Sequence, residues 1–190
     1  MMMVGDETNS GSMMIHQSGG GGVGGVLIPP DNFSMVEPGL YRSSFPRRKN
    51  MEFLKNLDIK TVIALIPEDY PTNIEEFYSL NGIRLIKHGL DGNKWPFKEI
   101  DQEAFRKALV DSLDPKNRPV LIHCNKGKHR TGSLIGVIRK VRKWALTPIL
   151  HEYILFATPK ARIEDQLYIE QFNIIEFNEI LYQIKEQEKV

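Results

Sequence analysis

Cysteine is nearly absent from this sequence of 190 residues, because Cys124 is its single example. One thiol cannot form an internal disulfide framework or a multi-cysteine zinc site. Excess charge of one sign is also lacking, since 25 Lys and Arg residues face 24 Asp and Glu residues and the net charge is +1. This balance does not indicate a strongly basic protein that binds nucleic acid.

Long hydrophobic runs are missing as well. Each apolar run has only a few residues, far short of the roughly 20 that cross a bilayer, so we expect no membrane span. The N-terminus has no basic segment followed by an apolar core and does not resemble a secretory signal. These features predict a soluble protein whose thiol stays reduced, located in the cytoplasm with the nucleus as a second compartment.

Residues 1–25 differ in composition from the rest of the chain. They hold 8 of the 15 glycines and 5 of the 7 methionines, and they contain no Lys, Arg or aromatic residue. A stretch such as GGGGVGG cannot bury enough apolar surface to offset the loss of chain entropy. We therefore expect a disordered tail over residues 1–25 and a single domain over residues 26–190.

Within that domain, strand-like and helix-like patterns alternate. The predicted strands are residues 39–44, 60–66, 83–87 and 119–123. The predicted helices are residues 47–57, 72–81, 101–113, 130–144, 148–157 and 163–187. Strands separated by helices predict an α/β fold, with a mostly parallel, twisted sheet of four or five strands and helices on both faces. Ligands of such sheets bind beyond the carboxyl ends of the strands.

The most apolar predicted strand leads into an unusual segment, HCNKGKHRTG, at residues 123–132. Gly127 allows a tight turn in which successive backbone N–H groups form an anion-binding nest. The helix that starts near Arg130 adds free N–H groups and the positive end of its dipole. The planar guanidinium of Arg130 can bind two oxygens of one phosphoryl group. In this field we expect Cys124 to ionise readily and to act as a nucleophile toward bound phosphate.

The alternative for a lone cysteine is a small, buried core residue. The polar residues around the thiol argue against it; they are Asn125, Lys126, Lys128 and His129. Three of these, Lys126, Lys128 and His129, suit a compact substrate with several phosphates. On the following predicted helix we expect Trp144 in the buried stripe. We expect four basic residues of that helix on a solvated face: Arg139, Lys140, Arg142 and Lys143.

The pattern HC-x5-RTG resembles the active-site signature of the cysteine-dependent protein tyrosine phosphatase superfamily. The fuller string IHCNKGKHRTG, with LDGNKWPF before it and PKARIEDQ after it, is similar to the plant and fungi atypical dual-specificity phosphatases. The resemblance extends from about Pro29 to about Phe172. It implies a protein tyrosine phosphatase-like fold, a phosphocysteine intermediate, no metal or other cofactor, and inositol pyrophosphates as substrates.

The resemblance also implies a role for each residue of the motif. Cys124 is expected to attack phosphorus, and Thr131 to assist departure of the thiolate in the second step. Arg130 and the amides of residues 125–130 are expected to hold the phosphoryl oxygens, which makes Gly127 and its neighbours binding residues. His123 is expected to orient the loop by hydrogen bonding.

The general acid is less clearly marked. Asp91 follows a predicted strand and is the preferred candidate, although an aspartate before glycine is also common in plain turns. Trp95–Pro96 resembles the start of a WPD loop, but Phe97 occupies the aspartate position. Asn93 and Lys94 are expected to approach the substrate from the Asp91 loop. Weaker candidates for the acid are Asp69 and Asp165.

Three functions compete on this basis. The first is a phosphatase that acts on inositol pyrophosphates or other polyphosphorylated small molecules. The second is a protein tyrosine or dual-specificity phosphatase that acts on phosphoproteins. The third is an inactive phosphate-binding module, and the presence of both Cys124 and Arg130 argues against it, because binding alone does not need the nucleophile.

Overall fold

A computed structural model describes residues 26–91 and 100–187, so the predicted tail at 1–25 lies outside the described residues. Five strands form one sheet in the order β1-β2-β5-β3-β4. They are β1 (Ser34–Glu37), β2 (Leu40–Ser44), β3 (Thr61–Ala64), β4 (Arg84–Lys87) and β5 (Val120–Cys124). β1 runs antiparallel to β2, and the other neighbouring strands run parallel. The predicted mostly parallel sheet is confirmed.

Seven α-helices lie within the described ranges. They are α1 (Met51–Asn56), α2 (Thr72–Leu80), α3 (Gln102–Leu113), α4 (His129–Val141), α5 (Leu146–Ala157), α6 (Ile163–Gln171) and α7 (Ile174–Gln187). None of these helices is both long and apolar enough to cross a membrane. α1 connects β2 to β3, and α2 connects β3 to β4, so both connections move across the sheet in the same direction. α3 connects β4 to β5 and moves in the opposite direction. Because parallel crossovers are right-handed, α1 and α2 cover one face, and α3 covers the other together with α4, which it contacts.

β3 and β5 form the centre of the sheet, and every residue of both strands is buried. Their nearly continuous apolar runs, TVIA and VLIHC, are typical of strands covered on both faces. The chain leaves β3 toward α2 and leaves β5 toward α4, on opposite faces. The carboxyl ends of these two strands therefore flank a topological switch point, where such sheets bind ligands.

Two elements differ from the sequence prediction. The edge strand β1 was not predicted, since its four residues include a single buried side chain, Val36. The predicted helix 163–187 is divided into α6 and α7 at Phe172 and Asn173. Phe172 packs in the core against Phe177, and the side chain of Asn173 accepts hydrogen bonds from the backbone N–H groups of Ile175 and Glu176 in the first turn of α7.

The end of α4 also corrects the prediction. The helix stops at Val141, and Lys143 adopts a left-handed conformation with φ of 62°. Trp144 is therefore 46% exposed rather than buried. Its ring instead packs on the Arg139 guanidinium, 4.3 Å from Cζ to the ring centroid.

The solvated basic face predicted for α4 is wrong for Arg139 and right only in part for Lys140, which is half-buried, whereas Arg142 and Lys143 are exposed as predicted. Arg139 is buried and pairs with Glu152 of α5 at 2.8 Å. Arg142 pairs with Glu37 of β1 at 2.9 Å. Lys140 donates to three carbonyl groups at the end of α6, among them those of residues 169 and 172 at 3.1 Å. Through these contacts the three cations hold α4 against β1, α5 and the end of α6.

Candidate active site

A pocket of about 190 Å³ opens beyond the carboxyl ends of β3, β4 and β5. The segment after β3 contributes Pro67 and Glu68, and the segment after β4 contributes Leu90 and Asp91. The remaining lining residues are Cys124 at the end of β5, then Asn125, Lys126, His129 and Arg130 after it, and Arg162 just before α6. The pocket thus lies where the sheet topology places a ligand site.

The loop from Cys124 to Arg130, here called the phosphate loop, turns four consecutive carbonyl groups away from the pocket. Each accepts a hydrogen bond: Asn125 from Phe45 N (3.3 Å), Lys126 from Asn32 Nδ2 (3.0 Å), Gly127 from Arg42 Nη2 (3.0 Å) and Lys128 from Gly132 N (2.7 Å). In a trans peptide, the following N–H points opposite to the carbonyl. The N–H groups of residues 126–129 therefore face the pocket, an arrangement that can bind phosphoryl oxygens.

Arg130 lies in the first turn of α4 with its guanidinium already oriented. Its Nη1 donates to the carbonyl oxygens of Leu65, at 2.9 Å, and Leu90, at 3.1 Å. These carbonyls belong to the segments after β3 and β4, so three parts of the chain meet at this side chain. Among the described contacts Nη1 is the only donor of the group, which directs the rest of the planar guanidinium toward the pocket it lines.

Cys124 is the last residue of β5 and is 3% exposed. Thr131 is fully buried in the first turn of α4, and its hydroxyl has no hydrogen-bond partner among the described residues. A buried hydroxyl without a partner is unusual in a folded protein. The Thr131 hydroxyl is therefore available to donate a hydrogen bond next to the phosphate loop.

His123 is fully buried and joins β5 to the segment after β3. The Tyr70 hydroxyl contacts its Nε2, and its Nδ1 lies 3.3 Å from the carbonyl oxygen of Cys124. Burial lowers the pKa of His123 to about 4, against a weaker opposing effect of the Cys124 carbonyl. The ring is therefore neutral at physiological pH. A neutral ring that carries its proton on Nδ1 satisfies both contacts, because Tyr70 then donates and the carbonyl accepts.

His129 connects the phosphate loop to α6. Its Nδ1 lies 2.9 Å from Oδ2 of Asp165, a carboxylate that is 1% exposed. The same oxygen accepts a hydrogen bond of 2.6 Å from Tyr153 of α5. With one ring nitrogen held in this way, His129 has a fixed orientation at the pocket wall.

The predicted cationic residues divide into two groups. Lys126 and His129 line the pocket, whereas Lys128 donates its Nζ to the carbonyl oxygen of Thr158 at 2.6 Å and is not a lining residue. The sequence prediction therefore placed one cationic side chain too many in the pocket.

Asp91, the preferred candidate for the general acid, lines the pocket. The predicted binding residues Asn93 and Lys94 lie outside the described residues.

Four lining residues were not predicted from the sequence, and two of them, Glu68 and Arg162, are charged. Glu68 accepts a hydrogen bond of 3.1 Å from the Asn125 side chain, which positions that amide at the pocket mouth. Arg162 adds a further cation. The string PKARIEDQ, which contains Arg162, was the one signal available in the sequence. Because this string lies far along the chain from the phosphate loop, the sequence gave no reason to place Arg162 in the pocket. In residues 26–91 and 100–187, no group of three or more His, Cys, Asp or Glu side chains is placed to hold a metal ion.

Comparison with known proteins identifies relatives of similar sequence and similar fold. The yeast (Saccharomyces cerevisiae) protein named inositol diphosphatase SIW14 is 51% identical over 155 residues, which cover 81% of this chain and 55% of that protein. The chain thus spans about half the length of SIW14. The rice (Oryza sativa subsp. japonica) protein named inositol diphosphatase DSP1 is 48% identical over 150 residues, or 79% of this chain and 68% of that protein.

The solved structure of the Siw14 catalytic core superposes with a TM-score of 0.79 at 48% identity, covering 84% of this chain and 95% of that one. The sequence profile described as the tyrosine phosphatase family matches residues 27–189, nearly the whole described region. The resemblance inferred from the motif is confirmed, and the chain belongs to the tyrosine phosphatase family.

Proposed function

We propose that the protein is a cysteine-dependent phosphatase that hydrolyses the diphosphate group of inositol pyrophosphates. The observation that carries the proposal is the phosphate loop, whose inward N–H groups surround the pocket next to Cys124 and Arg130. Lys126, His129 and Arg162 line the same pocket. The relatives named inositol diphosphatases support this substrate class.

In the first step, the Cys124 thiolate attacks the terminal phosphorus atom of the diphosphate. An S–P bond forms while the bond to the bridging oxygen breaks, and that oxygen leaves with its electron pair as part of an inositol phosphate. The loop amides and Arg130 bind the three equatorial oxygens, whose charge is stabilised most in the transition state. The hydrogen bonds from Arg130 to the carbonyl oxygens of Leu65 and Leu90 hold its guanidinium in place before the substrate binds.

In the second step, water attacks the phosphocysteine and releases inorganic phosphate and the thiolate. We assign Thr131 to this step, because its buried hydroxyl has no hydrogen-bond partner among the described residues and can donate to the departing sulfur. His123 is assigned to holding the loop. Its bond to Tyr70 and its contact with the Cys124 carbonyl fix the backbone that carries the nucleophile.

Proton donation to the leaving group is assigned to Asp91. Its place in the pocket lining after β4 allows it to approach a bound phosphate. A diphosphate expels a phosphate group, which departs more readily than an alkoxide. The acid is therefore less important for this substrate than for an alkyl phosphate ester. Since the nucleophile must stay reduced, we also infer a reducing compartment, the cytoplasm or the nucleus.

The test compares kcat/KM for an inositol pyrophosphate with that for phosphotyrosine and phosphoserine peptides. We expect the pyrophosphate to be preferred by at least about tenfold, the equivalent of one well-placed charged contact. Cys124→Ser serves as the control, because a serine hydroxyl is not ionised at neutral pH without a base. Its turnover should fall by several orders of magnitude, while phosphate binding by the loop is retained.

Two other results would contradict the proposal. A preference for phosphopeptides would favour the protein phosphatase. Binding of the pyrophosphate with wild-type turnover no higher than that of Cys124→Ser would favour an inactive phosphate-binding module.

A further inference from the structure

Arg42 is a buried cation that the mechanism above does not use. It lies in the middle of β2 and is 1% exposed. Its guanidinium contacts a carbonyl and an aromatic ring: Nη2 donates to the Gly127 oxygen at 3.0 Å, and Cζ lies 3.8 Å from the ring centroid of Phe156. Its Nε and Nη1 have no hydrogen-bond partner in the part of the chain that the structure describes. An arginine is seldom buried in this way without a carboxylate.

The positive charge of Arg42 lies on the same face of the sheet as the nucleophile Cys124. β2 and β5 pair in register, with Arg42 beside Ile122 and Ser44 beside Cys124. Side chains two residues apart on a strand lie on the same face, so Arg42 and Cys124 share a face of the sheet. α4 covers this face, since a Cβ atom on Gly132 would lie 3.9 Å from Nη2 of Arg42.

The charge state of Arg42 supports an electrostatic role. Burial lowers its pKa to about 10, while the charges of Glu152 and Cys124 act in the opposite direction. Arg42 is therefore still protonated at neutral pH. Arg42 and Cys124 lie on the same face of adjacent strands, so the guanidinium attracts the sulfur when it carries a negative charge. Their attraction offsets part of the cost of burying the cation.

We propose that Arg42 is a positioning residue of the active site, which holds the Gly127 carbonyl away from the pocket and provides a permanent positive charge behind the Cys124 thiolate. Through the Gly127 carbonyl it directs the next N–H, that of Lys128, toward the bound phosphate. Through its charge it favours the ionised nucleophile. The inference concerns the nucleophile of the function proposed above and therefore rests on that function.

The experiment measures the rate at which iodoacetamide alkylates Cys124 as a function of pH. Because Cys124 is the single cysteine of the chain, this rate reports on one thiolate and needs no substrate. A wild type without phosphatase activity would thus contradict the proposed function but leave the test of Arg42 intact. Far-UV circular dichroism and the melting temperature establish that each variant is folded.

Three variants separate charge from packing. Arg42→Met removes the charge and the donor, Arg42→Gln keeps a donor without charge, and Arg42→Lys keeps the charge. We expect the alkylation midpoint of the first two to rise by about one pH unit or more, which makes alkylation about tenfold slower at the acidic end of the profile. Arg42→Lys should stay near the wild type.

The control is Arg118→Met. Arg118 also donates to a carbonyl, that of Pro38 at 2.6 Å, but it lies just before the opposite end of β5. Its removal should leave the alkylation profile unchanged. A folded Arg42→Gln with a wild-type profile would overturn the proposal. So would an equal shift in Arg42→Lys and Arg42→Gln, because the charge would then have no effect. If Arg42→Met does not fold, the other two variants still decide the question.

Discussion

Gly127 carries two separate constraints, and both come from the phosphate loop. Its φ of +66° is a conformation that L-residues other than glycine rarely adopt. A Cβ atom there would also lie 2.6 Å from the carbonyl carbon and oxygen of Ser43 and 2.7 Å from the nitrogen of Ser44. These are backbone atoms of β2, which cannot move aside as a flexible side chain can. Gly127 therefore allows the loop to lie directly against the sheet.

Gly127→Ala should lose both stability and turnover. The left-handed φ costs about 1–2 kcal/mol, and the contact with β2 adds roughly 1–3 kcal/mol. Because the loop must move, we expect kcat to fall by about 100-fold. Gly82→Ala is the matched control, since Gly82 has the same φ of +66° and a Cβ atom on it would meet no atom of the described residues within 4 Å. Equal destabilisation of the two variants in denaturant unfolding would contradict the role of the contact.

His123 links the buried end of β5 to the pH dependence of stability. Its pKa is about 4 in the folded protein, compared with an ordinary value of 6.5, and the main cause is burial. Between these two values the unfolded chain binds a proton that the folded protein does not. The free energy of unfolding therefore increases with pH in this range. The stabilisation is fully present above about pH 6.5 and is lost as the pH falls toward 4.

Replacing His123 with Asn should flatten this part of the stability profile. The difference in pKa corresponds to roughly 3 kcal/mol between the two ends of the range. We expect the slope of unfolding free energy against pH, measured by urea unfolding between about pH 5 and 6.5, to decrease clearly in His123→Asn. The exposed His151 of α5 provides the control, and His151→Asn should keep the wild-type slope. An unchanged slope in His123→Asn would show that another group governs this range.

At the scale of elements, α6 packs against α4 through a glycine. A Cβ atom on Gly136 of α4 would lie 2.6 Å from Cδ1 and 2.9 Å from Cγ1 of Ile169, a fully buried residue of α6. The close approach of these helices matters to the site, because α6 also carries Asp165, the partner of His129. The absence of one side chain thus sets how near that carboxylate comes to the phosphate loop.

Gly136→Ala should destabilise the protein by about 1–3 kcal/mol, because it overfills this contact. Ile169→Val removes Cδ1, the atom nearest to the new methyl group, and costs about 1 kcal/mol on its own. We expect Ile169→Val to cost less, or to stabilise, in the Gly136→Ala background. The control is Ile74→Val, a buried residue of α2 on the opposite face of the sheet, whose cost should simply add. Additive effects for both pairs in thermal or denaturant unfolding would contradict the proposed contact.

The sequence predicts best those structural features that depend on residues close together in the chain. The phosphate loop could be predicted because its chemistry lies in ten consecutive residues between a strand and a helix. Arg42 could not be recognised, because it meets Gly127 from 85 positions away. Trp144 was misplaced for a local reason, since the helical period continues past Val141 while the backbone turns at Lys143. Contacts between distant segments therefore account for most of what was missed.

For the whole molecule, a net charge of +1 conceals an uneven distribution. Several cations of α4 are neutralised by partners on other elements, as Arg139 is by Glu152 and Arg142 by Glu37. The pocket in contrast gathers three cations, Lys126, Arg130 and Arg162, against two carboxylates, Glu68 and Asp91. Folding thus turns a nearly neutral chain into one that presents a local positive field, which suits a substrate with many phosphates.

Lys126→Gln should therefore weaken the polyphosphate substrate selectively. At low salt we expect KM for an inositol pyrophosphate to rise by about tenfold, and KM for p-nitrophenyl phosphate, a small monophosphate, to change by less than about twofold. The difference should shrink as salt is added, because the Debye length falls to about 8 Å at 0.15 M. The control is Lys55→Gln on the exposed surface of α1, which should affect neither substrate. Equal losses on both substrates at low salt would mean that Lys126 acts on the loop rather than on the additional phosphates.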